Sequence, residues 1–192
     1  MLMLVAGLIL FLAVHSTRIV AERARNRVMR RLGEAPYKAI YGLLSLIGLL
    51  LIIFGYGDAR LEATQLWVPP AGTRHLALLL VPIAFILASA AYAPVGRIKA
   101  TVVHPLVLSV VLWSLGHLLA NGTSADLLLF GGFLVWSVAD YVASLARSRR
   151  MGSYPTAQGM RGDVAALVIG IVFAALFLGG LHVWLFGVSP LA

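Results

Sequence analysis

The stretch HPLVLSVVLWSLGHLLANGTSADLLLFGGFLVWSVAD, residues 104–140, decides the fold of this chain. It predicts two hydrophobic helices joined by a turn at Asn121-Gly122, because Asn-Gly pairs favour turns. The first helix carries His104 and His117, and the second carries Asp140. Ionisable side chains are costly inside a bilayer, so each of these residues is a candidate for a functional role.

Composition places the whole chain in a membrane. Hydrophobic residues make up 61% of the 192 residues and charged residues only 11%, which is more apolar surface than a soluble core of this size can bury. The net charge of +8 comes from short loops between apolar runs, so it predicts orientation in a lipid bilayer and no nucleic-acid partner. The absence of cysteine excludes disulfides, thiolate nucleophiles, iron–sulfur ligands and c-type haem attachment.

Hydropathy predicts an all-α polytopic bundle, a single domain over residues 1–192 with six transmembrane helices. Each apolar run is close to the roughly 20 residues that cross the hydrocarbon. The loops between spans one and two, three and four, and five and six carry 13 of the 15 Lys and Arg. These loops are therefore expected in the cytoplasm and both termini on the periplasmic side. The predicted spans cover about residues 1–20, 39–56, 75–92, 101–119, 124–146 and 164–188.

The segment from Arg18 to Lys38 follows the first span and is rich in arginine. It predicts a basic, amphipathic juxtamembrane loop that lies against anionic lipid headgroups. The simpler interpretation of this charge is that it fixes the orientation of the neighbouring spans. A regulatory role in lipid binding is the alternative.

Glycines recur inside the predicted spans. Small residues let transmembrane helices approach closely, so we expect these positions at helix contacts. The glycines in question are Gly42, Gly48, Gly131, Gly132, Gly170, Gly179 and Gly180.

The predicted orientation gives each histidine a depth. His15 and His104 are expected near the cytoplasmic surface, and His75, His117 and His182 near the opposite one. His104 and His117 are separated by thirteen residues, about 20 Å of helical rise, so one iron atom cannot bind both. If iron is bound between two histidines, each needs a partner on another helix. The depths pair His15 with His104, and His117 with His75 or His182.

A haem between helices would suit such histidines, because imidazole binds haem iron and bundle interiors hold cofactors of this kind. Trp113 lies one turn before His117 and could flank a porphyrin, as could Trp136. Ordinary packing or an interfacial position is the plainer expectation for both tryptophans. For His75 and His182 the alternative is likewise an interfacial position.

Asp140 is expected near the cytoplasmic end of the fifth span. Its carboxylate could bind a ring nitrogen of His15 or His104 and so orient a ligand. It could equally pair with Arg147, two turns further on. His104 itself precedes Pro105, which is typical of a helix start, so a water-facing helix cap is the alternative for His104.

Several short motifs of this chain are shared with a known family. They are His15-Ser16, Arg74-His75-Leu76-Ala77-Leu78, His104-Pro105, Leu112-Trp113, His117-Leu118-Leu119-Ala120-Asn121-Gly122 and Leu129-Phe130-Gly131-Gly132-Phe133. In these motifs the chain resembles the NnrU family of membrane proteins. NnrU proteins are similar to the plastid and cyanobacterial 15-cis-zeta-carotene isomerases, membrane proteins that hold haem b through histidines. The likeness covers roughly residues 1–150.

The resemblance implies a bacterial inner-membrane protein that holds one or two haem b groups. It implies His15 and His117 as the leading haem ligands and His104 as a further site residue, whereas the depths pair His15 with His104. A bent first span, a second haem or a different topology would reconcile the two. A further isomerase histidine has no counterpart here, since Trp136 stands about where it would be.

Three functions from different classes remain. The first, implied by the resemblance, is a haem b protein that serves denitrification by supporting nitrite and nitric oxide reductases, through sensing or electron relay. The second is a haem-dependent cis–trans isomerase of a carotenoid-like polyene, and the third a cofactor-free membrane scaffold or assembly protein. The expected partners are the lipid bilayer and a small lipophilic or gaseous ligand, and a homo-oligomer is left open.

Overall fold

The computed structural model describes residues 1–191. This part of the chain is all-helical and contains no strand, which confirms the predicted all-α class. A single β-type pairing joins Gln65 to Thr123. We number the helices α1 Leu2–Val20, α2 Glu22–Leu32, α3 Glu34–Leu61, α4 Thr73–Tyr92, α5 Arg97–Val102, α6 Pro105–Ala120, α7 Ser124–Met151 and α8 Arg161–Phe186.

Five of these helices, α1, α3, α4, α7 and α8, are long and apolar enough to cross a membrane. The remaining predicted span, about residues 101–119, is divided between the short helix α5 and the apolar helix α6. Helix α6 has 16 residues, which gives a length of about 24 Å. Helix α3 has 28 residues and extends beyond the predicted span at both ends.

The basic segment after α1 is a helix and not the predicted loop. Helix α2 is separated from α1 only by Ala21 and from α3 only by Gly33. Gly33 has a φ of +88°, a backbone conformation that favours glycine. The segment predicted as a basic, amphipathic juxtamembrane loop is therefore largely an amphipathic helix, with a short break at each end.

The chain forms two compact units, and helix α7 contributes to both. Unit 1 consists of Met1–Val68 and Asn121–Trp136. Unit 2 consists of Pro69–Ala120 and the chain from Ser137 onward.

Unit 1 is built on the antiparallel pair α1 and α3. A Cβ atom added to Gly48 would lie 2.9 Å from the backbone nitrogen of Phe11, and one added to Gly55 would lie 2.8 Å from the Cα of Leu4. Glycine therefore allows the two backbones to touch. The face of α3 that is turned away from solvent contains Tyr41, Ser45, Gly48, Ile52, Gly55 and Ala59.

The loop after α3 pairs with the turn before α7. The backbone N–H groups of Leu66 and Trp67 donate to the carbonyl of Gly122, at 2.8 and 3.2 Å. A Cβ atom on Gly122 would collide with the carbonyl oxygen of Trp67, so this close approach requires glycine. Thr123 and Asp126 then cap the start of α7 with reciprocal hydrogen bonds between side chain and backbone, as in a capping box.

Unit 2 is built around α4, which packs against α6 and α8. A Cβ atom added to Gly170 of α8 would lie 2.5 Å from the Cα of Ile86. On the α6 side, a Cβ atom on Gly116 would lie 3.6 Å from the Cα of Ala77. Because the end of α6 meets the start of α4, the two helices are antiparallel.

The glycine prediction is correct only in part. Gly48 and Gly170 lie at close helix contacts, but a Cβ atom on Gly42, Gly179 or Gly180 would meet nothing within 4 Å. Gly131 would touch only Leu127 of its own turn, and Gly132 would just reach the side chains of Leu8 and Leu12. Hydropathy locates a span but not the face that packs, and this is why these positions were misassigned.

Candidate functional site

His15 lies on the face of α1 that packs in unit 1. Its half-buried ring stacks on Phe11, with ring centroids 4.1 Å apart. The ring also meets Tyr41 and Trp136 edge-on, at centroid distances of 5.3 and 6.0 Å. Side chains from α1, α3 and α7 thus fix the position of this imidazole.

A backbone hydrogen bond sets the tautomer of His15. The Nδ1 atom lies 2.7 Å from the carbonyl oxygen of Phe11, one turn earlier. A carbonyl can only accept, so Nδ1 must carry the proton and the neutral ring keeps its lone pair on Nε2. Histidines that bind metals are commonly held in this way, with one ring nitrogen donating to a carbonyl.

Trp136 contributes an unusual donor beside His15. Its indole Nε1 is buried and has no hydrogen-bond partner among the described residues. Buried polar atoms are nearly always paired. An orphaned donor next to a candidate ligand fits a bound group that carries an acceptor.

His117 in unit 2 repeats the arrangement of His15. Its Nδ1 lies 2.8 Å from the carbonyl oxygen of Trp113, again one turn earlier. The two rings are in contact, with centroids 5.1 Å apart. In both cases an aromatic residue four positions before the histidine supplies the carbonyl and a neighbouring ring, and Nε2 keeps the lone pair.

His104 is engaged differently. Its Nε2 lies 3.0 Å from the hydroxyl oxygen of Ser148 on α7, while its carbonyl accepts from the N–H of Leu108 in the first turn of α6. His104 thus begins α6, as expected of a residue before Pro105. Its half-buried side chain links α6 to α7.

Asp140 belongs to a polar stripe on α7. Its carboxylate accepts a hydrogen bond from Ser144 at 3.2 Å, and the Ser144 hydroxyl accepts one from Arg147 at 2.8 Å. Asp140 is therefore linked to Arg147, as one alternative proposed, but through a serine. Ser137, Ser144, Arg147 and Ser148 are all buried.

This stripe was missed in the sequence. Its signal was visible, because Ser137, Asp140, Ser144 and Arg147 recur at intervals of three and four residues, which places them on one helix face. A hydrophobic run draws attention to single ionisable residues, and serines inside it are easily passed over.

The two remaining histidines lie at helix ends. His75 is exposed in the first turn of α4, at the end of the α4–α6 pair that also carries His117. His182 donates from Nδ1 to the carbonyl of Val188 and contacts Phe186.

Within residues 1–191, no group of three or more His, Cys, Asp or Glu side chains is arranged to hold a metal ion.

The sequence was compared with known proteins. The family model described as NnrU protein matches residues 3–190, which extends the resemblance beyond residue 150. No curated protein and no solved structure matches the chain significantly. A match over nearly the whole length, together with the apolar helices, shows that this chain is a membrane protein and belongs to the NnrU family.

Proposed function

We propose that this protein binds haem b in the membrane, with His15 and His117 as its leading ligands. The observation that carries the proposal is the hydrogen bond from Nδ1 of each histidine to the carbonyl one turn earlier. Both rings lie in apolar helices with a lone pair on Nε2, the nitrogen that would bind iron.

The residues around His15 fit such a cofactor. A haem would need only one or two ligands from the protein, so single histidines such as His15 would be enough to hold it. The rings of Phe11 and Tyr41 hold the imidazole in place, and the orphaned Nε1 of Trp136 offers a donor to an acceptor on the bound group. When bound, haem b would supply an iron that accepts an electron or a small gaseous ligand.

His104 and His75 fit this role less directly. The Nε2 of His104 already lies at hydrogen-bond distance from Ser148, and His75 is exposed. We assign His104 to the positioning of α6 against α7 and keep His75 as a second candidate ligand at the end of α6 that carries His117. Trp113 and Asp140 act through their neighbours, the first by orienting His117 and the second by ordering the polar stripe.

We propose that the protein lies in the bacterial inner membrane, with six spans and both termini in the periplasm. We also propose that it supports the reduction of nitrite and nitric oxide. The charge distribution supports the orientation, and the resemblance to NnrU proteins supports the role. Loops that the six-span topology assigns to the same side also meet within each unit. The loop after α3 pairs with the turn before α7, and the loop before α5 receives a hydrogen bond from Gln158 in the loop before α8.

The first prediction concerns the cofactor. Full-length protein purified after expression with sufficient haem should show a Soret band that shifts on reduction with dithionite. His15→Ala and His117→Ala should each lower the haem content at least severalfold, because each removes a lone pair that binds iron. The measurements are the absorption spectrum and the ratio of haem to protein.

The matched control is His182→Ala. His182 also donates from Nδ1 to a carbonyl, but that carbonyl lies downstream, after the helix has ended. This variant should keep the Soret band. A wild-type protein without haem would leave the cofactor-free scaffold as the function. Unchanged haem content in both His15→Ala and His117→Ala would exclude these two histidines as the haem ligands.

A further inference from the structure

Helix α2 separates its arginines from its apolar residues. At about 100° per residue, Arg23, Arg27, Arg30 and Arg31 share one face of the helix, and all are exposed. Among residues 1–191 an ion pair joins Lys38 to Glu34. None of these four arginines forms an ion pair within that part of the chain. We call them the arginine face.

The adjacent face of α2 is apolar and also exposed. It contains Ala24, Val28 and Leu32, of which Val28 is 44% and Leu32 49% exposed. A helix with one strongly basic and one apolar face lies in the plane of a membrane surface, with its apolar side at the acyl boundary. Nothing in unit 1 covers either face completely.

Arg25 is an exception within the same helix. Its guanidinium carbon lies 5.4 Å from the ring centroid of Tyr37 at the start of α3, and it donates to the side chain of Asn26 at 2.9 Å. Arg25 is therefore held by the protein, while the arginine face is left to an external partner. A substitution of Arg25 can therefore serve as the control for a substitution in the arginine face.

The position of α2 identifies that partner. Its ends lie one residue from α1 and one residue from α3, two antiparallel helices that are apolar and long enough to cross a bilayer. Helix α2 is thus tied at both ends to the boundary of the membrane. The negative charges at that boundary are the headgroups of anionic phospholipids. Each basic residue near the membrane surface contributes about 1 kcal/mol to the attraction between the protein and these headgroups.

We propose that α2 is an interfacial helix that binds the phosphates of anionic phospholipids through Arg23, Arg27, Arg30 and Arg31. Val28 and Leu32 enter the adjoining acyl region. This function is independent of haem, since it involves none of the candidate ligands.

Lipid titration of the full-length protein in neutral detergent tests this proposal. Phosphatidylglycerol should bind more tightly than phosphatidylcholine, as measured by native mass spectrometry. Arg27→Gln should weaken phosphatidylglycerol binding about fivefold, the factor that corresponds to about 1 kcal/mol per basic residue. Arg25→Gln should weaken it less than twofold. Arg27→Gln should unfold at the wild-type temperature, because Arg27 is exposed.

Three outcomes would overturn the proposal. The first is equal binding of the two lipids, and the second is an equal loss in Arg25→Gln and Arg27→Gln. The third is competition by inorganic phosphate at the concentration at which phosphatidylglycerol binds, which would indicate a site for free phosphate. A dye on Val28→Cys, the sole thiol in this cysteine-free chain, should be quenched by brominated lipid acyl chains if α2 lies in the interface.

Discussion

Gly42 and Gly55 lie on the same helix, α3, and differ in what a side chain would meet. A Cβ atom on Gly55 would press against the backbone of Leu4, 2.8 Å from its Cα, whereas one on Gly42 would meet nothing within 4 Å. The difference follows from their position relative to the packed face. Gly55 belongs to the series of inward residues that starts at Tyr41, and Gly42 lies one residue away from it.

The second prediction compares Gly55→Ala with Gly42→Ala. Gly55→Ala should destabilise the protein by about 1–3 kcal/mol, because overpacking forces α1 and α3 apart. Gly42→Ala should be neutral or stabilising by up to about 1 kcal/mol, since alanine favours the helix. Thermal unfolding in detergent measures both, and equal destabilisation would contradict the packing described for unit 1.

The histidines show at the same scale how far residue patterns lead. The intervals from Phe11 to His15 and from Trp113 to His117 are visible in the sequence and place each pair on one helix face. The proton on Nδ1 could not be predicted, because an i−4 hydrogen bond depends on the side-chain rotamer. The edge-on contacts of Tyr41 and Trp136 with His15 depend in addition on helices that are distant in sequence.

At the scale of elements, two helices depart from regular α geometry. Helix α7 has a wider, π-helical turn over Leu127–Gly131, and helix α8 has another over Phe177–Leu181. In α8 the cause is Gly180, whose φ is +138°. Such turns often occur where a helix is adapted to a function, and this one separates the last turn, with His182, from the main span.

The third prediction compares adjacent glycines of α8. Gly180→Ala should lower the stability by about 1 kcal/mol or more, because a residue with a Cβ atom is strained at this φ. Gly179→Ala should have little effect, since its φ is ordinary and an added Cβ atom meets nothing within 4 Å. Thermal unfolding of the two variants measures the difference, and a stability of Gly180→Ala equal to that of Gly179→Ala would show that α8 is unbroken in the membrane.

At the scale of the whole molecule, the topology depends on α6. Its 16 residues give about 24 Å of helix, while the hydrocarbon is about 30 Å thick. A short span can be accommodated by local thinning of the bilayer. The pairing of the loop after α3 with the turn before α7 agrees with a crossing by α4 and a return by α6.

The fourth prediction tests this topology with single cysteines, which are unambiguous in a chain that has none. Ala71→Cys, in the loop after α3, should react with a membrane-impermeant maleimide in intact cells. Ser153→Cys, in the loop before α8, should react only after the cells are opened. Labelling of Ser153→Cys but not of Ala71→Cys in intact cells would indicate the opposite orientation. Labelling of both variants in intact cells would contradict the six-span topology.

The sequence by itself determined that this is a membrane protein, that it is all-α, where its long apolar helices approximately lie, and that the chain breaks at Asn121-Gly122. These follow from composition and local propensity, which act within one segment at a time. Only the tertiary structure decided which glycines lie at contacts, that Ser148 binds His104, that Ser144 links Asp140 to Arg147, and that Arg25 is held by Tyr37 while its neighbours are exposed. Each of these depends on the rotation of a helix about its axis and on a partner distant in the chain, and in an apolar helix surrounded by lipid the hydrophobic pattern carries little information about that rotation.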